Sequence, residues 1–354
     1  MNSEKKIYFG PLDTLRACAF FIVFISHAYL SFFSVSDTAT RYLAHGEVGV
    51  QIFFVLSAFL ITYLSLSEYK KTGSFSIVHF FKKRILRIWP VYFLVLGVSY
   101  IWHALSASAE SIGCTYKFLY FLGNTCMIEG IPNTVGSQTV GPLWSVSVEQ
   151  QFYIIFPIAL LAYIFLVKKI RPYILKSIVH VMFAGIFIYA LYVRYIYAHL
   201  WEYISYSAFA SLPAFIVGVY LAYAVYKRFS IVTHIQNNSE PYMVTAVVAF
   251  VSAFFIKFTG AVGVSLYILP IIYATVIFIL LAIAEKVKVT NIITEHLGKI
   301  SYGLYAYHMF AIVFLQYVFE RTQPVFSSIS SLVVTVILAQ FSYTYIERFF
   351  LKFK

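Results

Sequence analysis

Charge is scarce in this 354-residue chain: only 11% of residues are Asp, Glu, Lys or Arg, against roughly 25% in a soluble domain. Three cysteines are too few for a disulfide scaffold. Nine histidines are scattered without HxxxH or Cys/His spacing, so no metal site is expected. No P-loop, no G-x-G-x-x-G opening a helix and no Gly-x-Ser-x-Gly elbow occurs. What fills the chain is apolar: 61% hydrophobic residues, with 36 Phe and 30 Tyr. A soluble globule of this size leaves about a quarter of its unfolded surface exposed and could not hide so much apolar area. Disorder, collagen, a disulfide scaffold and a soluble enzyme are excluded. The expected solvent is a bilayer.

A hydrocarbon core of about 30 Å takes about 20 helical residues to cross. Apolar runs near that length predict ten spans, at 12–35, 47–66, 90–108, 148–167, 178–197, 203–226, 242–259, 262–284, 300–319 and 326–346. The runs are continuous rather than alternating, which argues against a β-barrel. The expected fold is an all-α integral membrane protein of about ten transmembrane helices, one polytopic domain over 1–354. With the N-terminus in the cytoplasm, 21 of the 26 Lys and Arg fall inside; Arg41, Lys117, Arg194, Lys257 and Arg321 fall outside. That bias predicts both termini cytoplasmic and accounts for the net charge of +12 without nucleic acid.

The first span is too long for a signal-peptide core and lacks a small-x-small cleavage site, so it is expected to be retained. The outside loop 109–146 is the longest extramembrane piece. It holds Cys114 and Cys126, which could pair in an oxidising compartment. Cys18, within the first span, reads as packing.

Polar groups inside spans are costly and therefore informative. Arg16 and His27 are eleven residues apart, about three turns, so they share a helix face about 16 Å apart along the axis. A slender anionic ligand entering from the cytoplasm could be held by Arg16 while its reactive end reaches His27. The competing reading is a snorkelling Arg and a His bonded to a neighbouring helix.

Arg84-Ile-Leu-Arg87-Ile-Trp-Pro90 places two guanidiniums at i and i+3, on one face. They suit a phosphate or diphosphate, or simply anionic lipid. Pro90 is expected in the first turn of the third span. At the mouth of the fourth span Glu149 is either a helix-start carboxylate or a functional one, flanked by Trp144 and Tyr153 as a group contacting sugar or orienting His27. In the ninth span Ser301-Tyr302-Gly-Leu-Tyr305-Ala-Tyr-His308 puts His308 about 12 Å in from the cytoplasmic end, near the depth of His27. It could line the same cavity or be a satisfied structural histidine. Gly49-Val-Gln-Ile-Phe-Phe-Val-Leu-Ser57 by itself is only a membrane helix, with Ser57 bonding across helices or to its own backbone.

Taken in order, these segments resemble the membrane acyltransferase-3 family. The chain carries Arg16-x10-His27, Gly49-Val50-x-x-Phe53-Phe54-Val55-Leu56-Ser57-x-Phe59-Leu60, Arg84-x-x-Arg87-Ile-x-Pro90, Trp144-Ser145-x-x-x-Glu149-x-x-Phe152-Tyr153, Ser301-Tyr302-x-x-Tyr305-x-x-His308 and Tyr345-Ile-Glu347. Ala58 stands where the family usually has Gly, a departure that bears on local packing.

The resemblance implies transfer of an acyl group, most often acetyl, from cytoplasmic acyl-CoA (acetyl-CoA) to a hydroxyl of an exported glycan. O-antigen or another envelope polysaccharide, or its lipid-linked form, leads as acceptor. Exopolysaccharide, peptidoglycan and macrolides stay open, and the location is the inner membrane of a bacterium. Arg16 and His27 are implied to be indispensable, and Arg84 and Arg87 to help Arg16 bind CoA, with no metal. Glu149 is a further catalytic candidate; Trp144, Tyr153, Ser301, Tyr305 and His308 are candidate substrate contacts. No esterase-like domain follows residue 354, so any such activity is expected from another chain. His27 would act as general base or carry the acyl group itself. A rival reading is a transporter or flippase of a small anion or lipid-linked sugar, since spans with interior histidines fit that too.

Overall fold

The computed structural model describes residues 10–33, 43, 46–105, 113–131, 135–197, 200–258, 275–277, 279–280, 282–283, 292–319 and 323–354, and these contain no strand. The long helices are α1 (Gly10–Phe32), α2 (Gly46–Thr72) and α3 (Ile77–Leu105). After a 3₁₀ turn (Gly113–Tyr120) come α4 (Gly123–Glu129), α5 (Val135–Val140), α6 (Trp144–Lys169) and α7 (Pro172–Ile196). Then follow α8 (Trp201–Tyr206), α9 (Ala208–Tyr226), α10 (Ser230–Asn237), α11 (Ser239–Phe258) and α12 (Ile292–Lys299). The chain ends in α13 (Ser301–Phe319), α14 (Pro324–Ser342), a π-turn (Tyr343–Glu347) and α15 (Arg348–Leu351).

Among the described residues eight helical stretches are long and apolar enough to cross a membrane. They match the predicted runs 12–35, 47–66, 90–108, 148–167, 178–197, 203–226, 300–319 and 326–346 in order. The 242–259 run is the 20-residue α11. Most of the 262–284 run lies outside the described residues. The protein is an all-α integral membrane protein.

Lipid-facing and core-facing surfaces follow from helical spacing. On α14, Ile329, Val333, Ile337 and Phe341 recur every four residues and are all exposed, whereas Ser327, Ser331, Thr335 and Ala339 are buried. This inverts the soluble pattern, because lipid is as apolar a neighbour as leucine and small residues let helices approach. Close approach decides two glycines. A Cβ at Gly49 would lie 2.3 Å from the Ala19 carbonyl oxygen, which seats α2 directly on α1. A Cβ at Gly218 would meet the Val55 carbonyl oxygen at 2.4 Å and the Ala58 Cβ at 2.8 Å. The α9 glycine thus makes room for the methyl of Ala58, which is fully buried.

Three expectations are corrected. Pro90 is inside α3 rather than in its first turn, because α3 begins at Ile77, ahead of the basic cluster. Hydropathy ends a span at charged residues, but the backbone hydrogen-bonds through them; a proline is tolerated where neighbouring helices hold the chain. The 109–146 segment is helical in most of its described residues rather than a loop. Tyr92 and Tyr100 of α3 donate to the carbonyls of Phe118 and Thr115, and the Gln151 amide of α6 donates to the Phe121 carbonyl and Asn124. Cys114 and Cys126 form a disulfide within this cap. Cys18 is exposed on α1 rather than packed in the core, since its position on the helix faces away from α2 and α13.

Candidate functional site

A cavity of about 680 Å³ opens at the basic end of the bundle. Every long helix near it contributes: Arg16 from α1, Phe53 and Ser57 from α2, Arg84 and Arg87 from α3, Glu149 and Tyr153 from α6, and Ser301, Tyr302 and Tyr305 from α13. Nearer the mouth are Glu68, His79, Lys83 and, from the C-terminal end, Leu351 and Lys354. His79, Lys83 and Arg87 are spaced by four, so one stripe of α3 faces the opening, with Arg84 beside it.

The cations are held from the protein side. Arg16 Nη1 donates to Asp13 Oδ1 at 2.8 Å, one turn earlier. Asp13 is buried under α12, where a Cβ at Gly298 would strike its backbone and side chain. The Arg84 guanidinium lies 5.6 Å from the centre of the Phe80 ring and 5.8 Å from that of Tyr153, and its buried Nε has no hydrogen-bond partner among the described residues. Aromatic faces attract a cation without using its donors, so donor capacity remains for a ligand. Lys83 pairs with Glu68 at 3.5 Å.

Across the cavity, Tyr153 donates to Glu149 Oε1 at 2.5 Å. The Ser57 hydroxyl lies 2.6 Å from the same phenol oxygen. With the Tyr153 proton committed to the carboxylate, Ser57 donates, giving a directed chain Ser57–Tyr153–Glu149 that joins α2 to α6. Tyr302 donates to the Ile88 carbonyl at 2.9 Å, and Tyr305 to the Pro142 carbonyl at 2.8 Å with Ser145 alongside. These bonds fix α13 against α3 and the start of α6.

His27 and His308 are not among the residues lining this cavity. They meet each other: His27 Nδ1 lies 2.8 Å from His308 Nε2, with ring planes within 7°. His308 Nδ1 lies 2.6 Å from the Tyr305 carbonyl oxygen one turn before it. His308 is fully buried and edge-on to Phe20; His27 is half-buried. The Tyr305 ring belongs to the cavity wall and stands 5.5 Å from the His308 ring and 5.7 Å from Phe53. Tyr305 therefore stands between the cavity and His308, with Phe53 packed against it.

Most of the residues picked from sequence converge. Arg16, Arg84, Arg87, Glu149, Tyr153, Ser301 and Tyr305 share one cavity. Trp144 does not; it packs edge-on against Phe54 and Tyr206. Glu149 bonds Tyr153, and the group bonded to His27 is His308. Sequence reading missed Ser57 as a cavity residue, and with it Tyr302, His79, Lys83 and Glu68. A polar residue at the same helical phase as a basic neighbour, as at His79, Lys83 and Arg87, is a signal that could have found some of them. Glu347 is buried in the π-turn, its Oε1 without a hydrogen-bond partner among the described residues and 3.3 Å from where a Gly303 Cβ would stand. No group of three or more His, Cys, Asp or Glu suited to a metal occurs among the described residues.

The chain is similar to longer proteins of Staphylococcus aureus. One from strain COL, named provisionally as an O-acetyltransferase, is 26% identical over 376 residues, which cover 99% of this chain and 58% of that protein. Another, from strain NCTC 8325 and named O-acetyltransferase OatA, is 26% identical over 369 residues, 96% of this chain and 57% of that one. The chain thus spans under three-fifths of the length of these relatives. No solved structure matches it. The acyltransferase domain family matches residues 10–344, from the first turn of α1 to the π-turn, and the chain belongs to that family of acyltransferases.

Proposed function

We propose that this protein is a membrane O-acyltransferase that takes an acyl group, most simply acetyl, from cytoplasmic acyl-CoA and delivers it to a hydroxyl of an exported envelope glycan. The inner membrane of a bacterium is the proposed location, with the basic end facing the cytoplasm by the positive-inside bias. The observation that carries this reading is the convergence of Arg16, Arg84 and Arg87 on one cavity at that end. CoA offers a diphosphate and a 3′-phosphate on a long, uncharged arm. Guanidiniums bind such groups bidentately, and the lining passes from Lys83, Arg84 and Arg87 to Phe53 and Tyr305, charged groups for a head and aromatic ones for an arm.

In this reading Arg16, Arg84 and Arg87 hold the donor's phosphates and the arm runs past Ser57 and Tyr153 toward Tyr305 and Phe53. Rotation of one of these two rings opens the way to His27. His27 Nε2 takes the proton of the acceptor hydroxyl as its oxygen bonds to the thioester carbonyl carbon. The carbon–sulfur bond breaks and the imidazolium returns the proton to the thiolate. The same nitrogen could instead carry the acyl group between donor and acceptor; labelled acetyl trapped on the protein without acceptor distinguishes the routes. Glu149 and Tyr153 supply a polar wall for the donor or acceptor. Envelope polysaccharide such as O-antigen, or its lipid-linked precursor, is the proposed acceptor.

Mass spectrometry of envelope glycans from cells with and without the gene tests the function. An increment of one acyl group that depends on the gene and on His27 is expected. Unchanged glycan acylation in cells producing well-inserted His27→Ala protein would overturn the enzyme reading and favour a transporter.

A further inference from the structure

We infer that His308 is a positioning residue that fixes His27 in a single tautomer, through a hydrogen-bond chain anchored on the Tyr305 carbonyl. The inference rests on the role proposed above for His27 and deepens it.

A carbonyl oxygen can only accept, so the 2.6 Å contact with Tyr305 assigns the proton of neutral His308 to Nδ1. That leaves Nε2 of His308 as a lone pair, and at 2.8 Å it faces His27 Nδ1. Two lone pairs do not approach that closely, so His27 Nδ1 carries a proton and donates it. Neutral His27 then has its own lone pair on Nε2. The direction runs one way: His27 donates to His308, and His308 to Tyr305.

Packing holds the chain in place. His308 is fully buried, edge-on to Phe20, and its bond to Tyr305 lies within one turn of α13. The ring planes are within 7° of parallel and the centroids are 5.0 Å apart against a 2.8 Å nitrogen–nitrogen contact, so the rings meet end-on and the lone pair of one faces the N–H of the other. An imidazole anchored on a backbone carbonyl does for His27 what a carboxylate does in a Ser-His-Asp triad, without a second charge to bury. Tyr305 links both parts of the site, its ring on the cavity wall and its carbonyl at the root of the chain.

Two measurements on the full-length protein test this. The first is solid-state ¹⁵N NMR of histidine-labelled protein in lipid, with His27 assigned by comparison with His27→Ala. An unprotonated Nε2 on neutral His27 is expected, and a protonated Nε2 there would overturn the inference. The second is kinetics in membrane vesicles, with radiolabelled acetyl-CoA as donor and total envelope glycan of the host as acceptor.

His308→Leu removes the acceptor for His27 Nδ1–H, and kcat is expected to fall at least about 100-fold, as wrong-tautomer variants of triad enzymes do. The KM for acetyl-CoA should stay within about twofold, because the arginines are untouched. His308→Gln, whose amide oxygen can still accept, should recover at least a tenth of the wild-type kcat. Equal losses in His308→Leu and His308→Gln, or a His308→Leu variant at wild-type rate, overturn the inference while leaving the proposed function intact. Full activity in His27→Ala would instead overturn the role of His27, and this inference with it.

Discussion

Arg16, Arg84 and Arg87 line open space from two helices, and the Arg84 side chain lies against the faces of Phe80 and Tyr153, its buried Nε without a hydrogen-bond partner among the described residues. Farther along α1 from Arg16, His27 is tied to His308, and His308 to a carbonyl, in a pair of which one member is wholly buried. The cavity gathers charges from several helices around open space. The histidine pair is nearly complete by itself, with one nitrogen left over. Charges in a low-dielectric setting attract a counter-charged ligand over several ångströms and tolerate imprecision. A proton-transfer group needs its tautomer and angle fixed. In the proposed function the two regions divide binding from chemistry, with Tyr305 between them.

The largest effect should come from the leftover nitrogen. His27→Ala is expected to reduce acyl transfer by about 1,000-fold or more, beyond the 10²–10⁴ usual for a general base only if it also carries the acyl group. Labelled-acetyl transfer measured alongside acetyl-CoA binding checks this, and the binding should survive. Loss of both would blur the division between the regions.

Next in size is Arg84→Ala, expected to raise the KM for acetyl-CoA about 10- to 100-fold, the effect of losing a hydrogen bond to a charged group. Its kcat should change little. Arg84→Lys should recover only part of the loss, because an ammonium lacks the planar fork. A kcat effect as large as the KM effect would show that the cavity cations act on the reacting atoms.

Salt offers a smaller and gentler separation. Raising ionic strength from 0.05 to 0.5 M should weaken acetyl-CoA binding severalfold by screening the mouth residues, and leave the rate at saturating donor within about twofold. Stopped-flow or steady-state titrations at the two salt levels would read it.

The smallest change is expected for Tyr153→Phe. It removes the oxygen that joins Ser57 to Glu149 and leaves the ring under Arg84, so donor KM should move by about two- to fivefold, equivalent to roughly 0.5–1 kcal/mol. A loss as large as that of His27→Ala would place the Ser57–Tyr153–Glu149 chain in the chemistry rather than in binding.

Much of the fold was legible because bilayer length and hydropathy leave few choices. The apolar runs expected at 12–35, 47–66 and 300–319 begin close to the starts of α1, α2 and α13. The start of α3 was not legible, because Lys82, Lys83, Arg84 and Arg87 interrupt hydropathy but not helix hydrogen bonding, and a proline stands 13 residues into the helix. The disulfide-bonded cap could not be recognised from hydropathy, since its order comes from tyrosine and glutamine contacts made by α3 and α6. Within the site, isolated charges in apolar context marked Arg16, Arg84, Arg87 and Glu149. Ser57 carried no mark, since a serine in a membrane helix commonly bonds to its own backbone; its role came from Tyr153 reaching across from α6.

The sequence by itself determined that this chain resides in a bilayer as a set of helices, because backbone groups in lipid must be satisfied within each span. It also marked the charges within or beside spans as candidates, since each carries a desolvation cost. Only the tertiary structure decided that Arg16 and His27, on one helix, serve different neighbourhoods. Periodicity fixes the direction in which a side chain leaves its own helix, but not what another helix brings to meet it. That was settled by the close approach of α2 to α1 over Gly49 and by the turn of α13 that sets His308 against His27 and Tyr305 against the cavity.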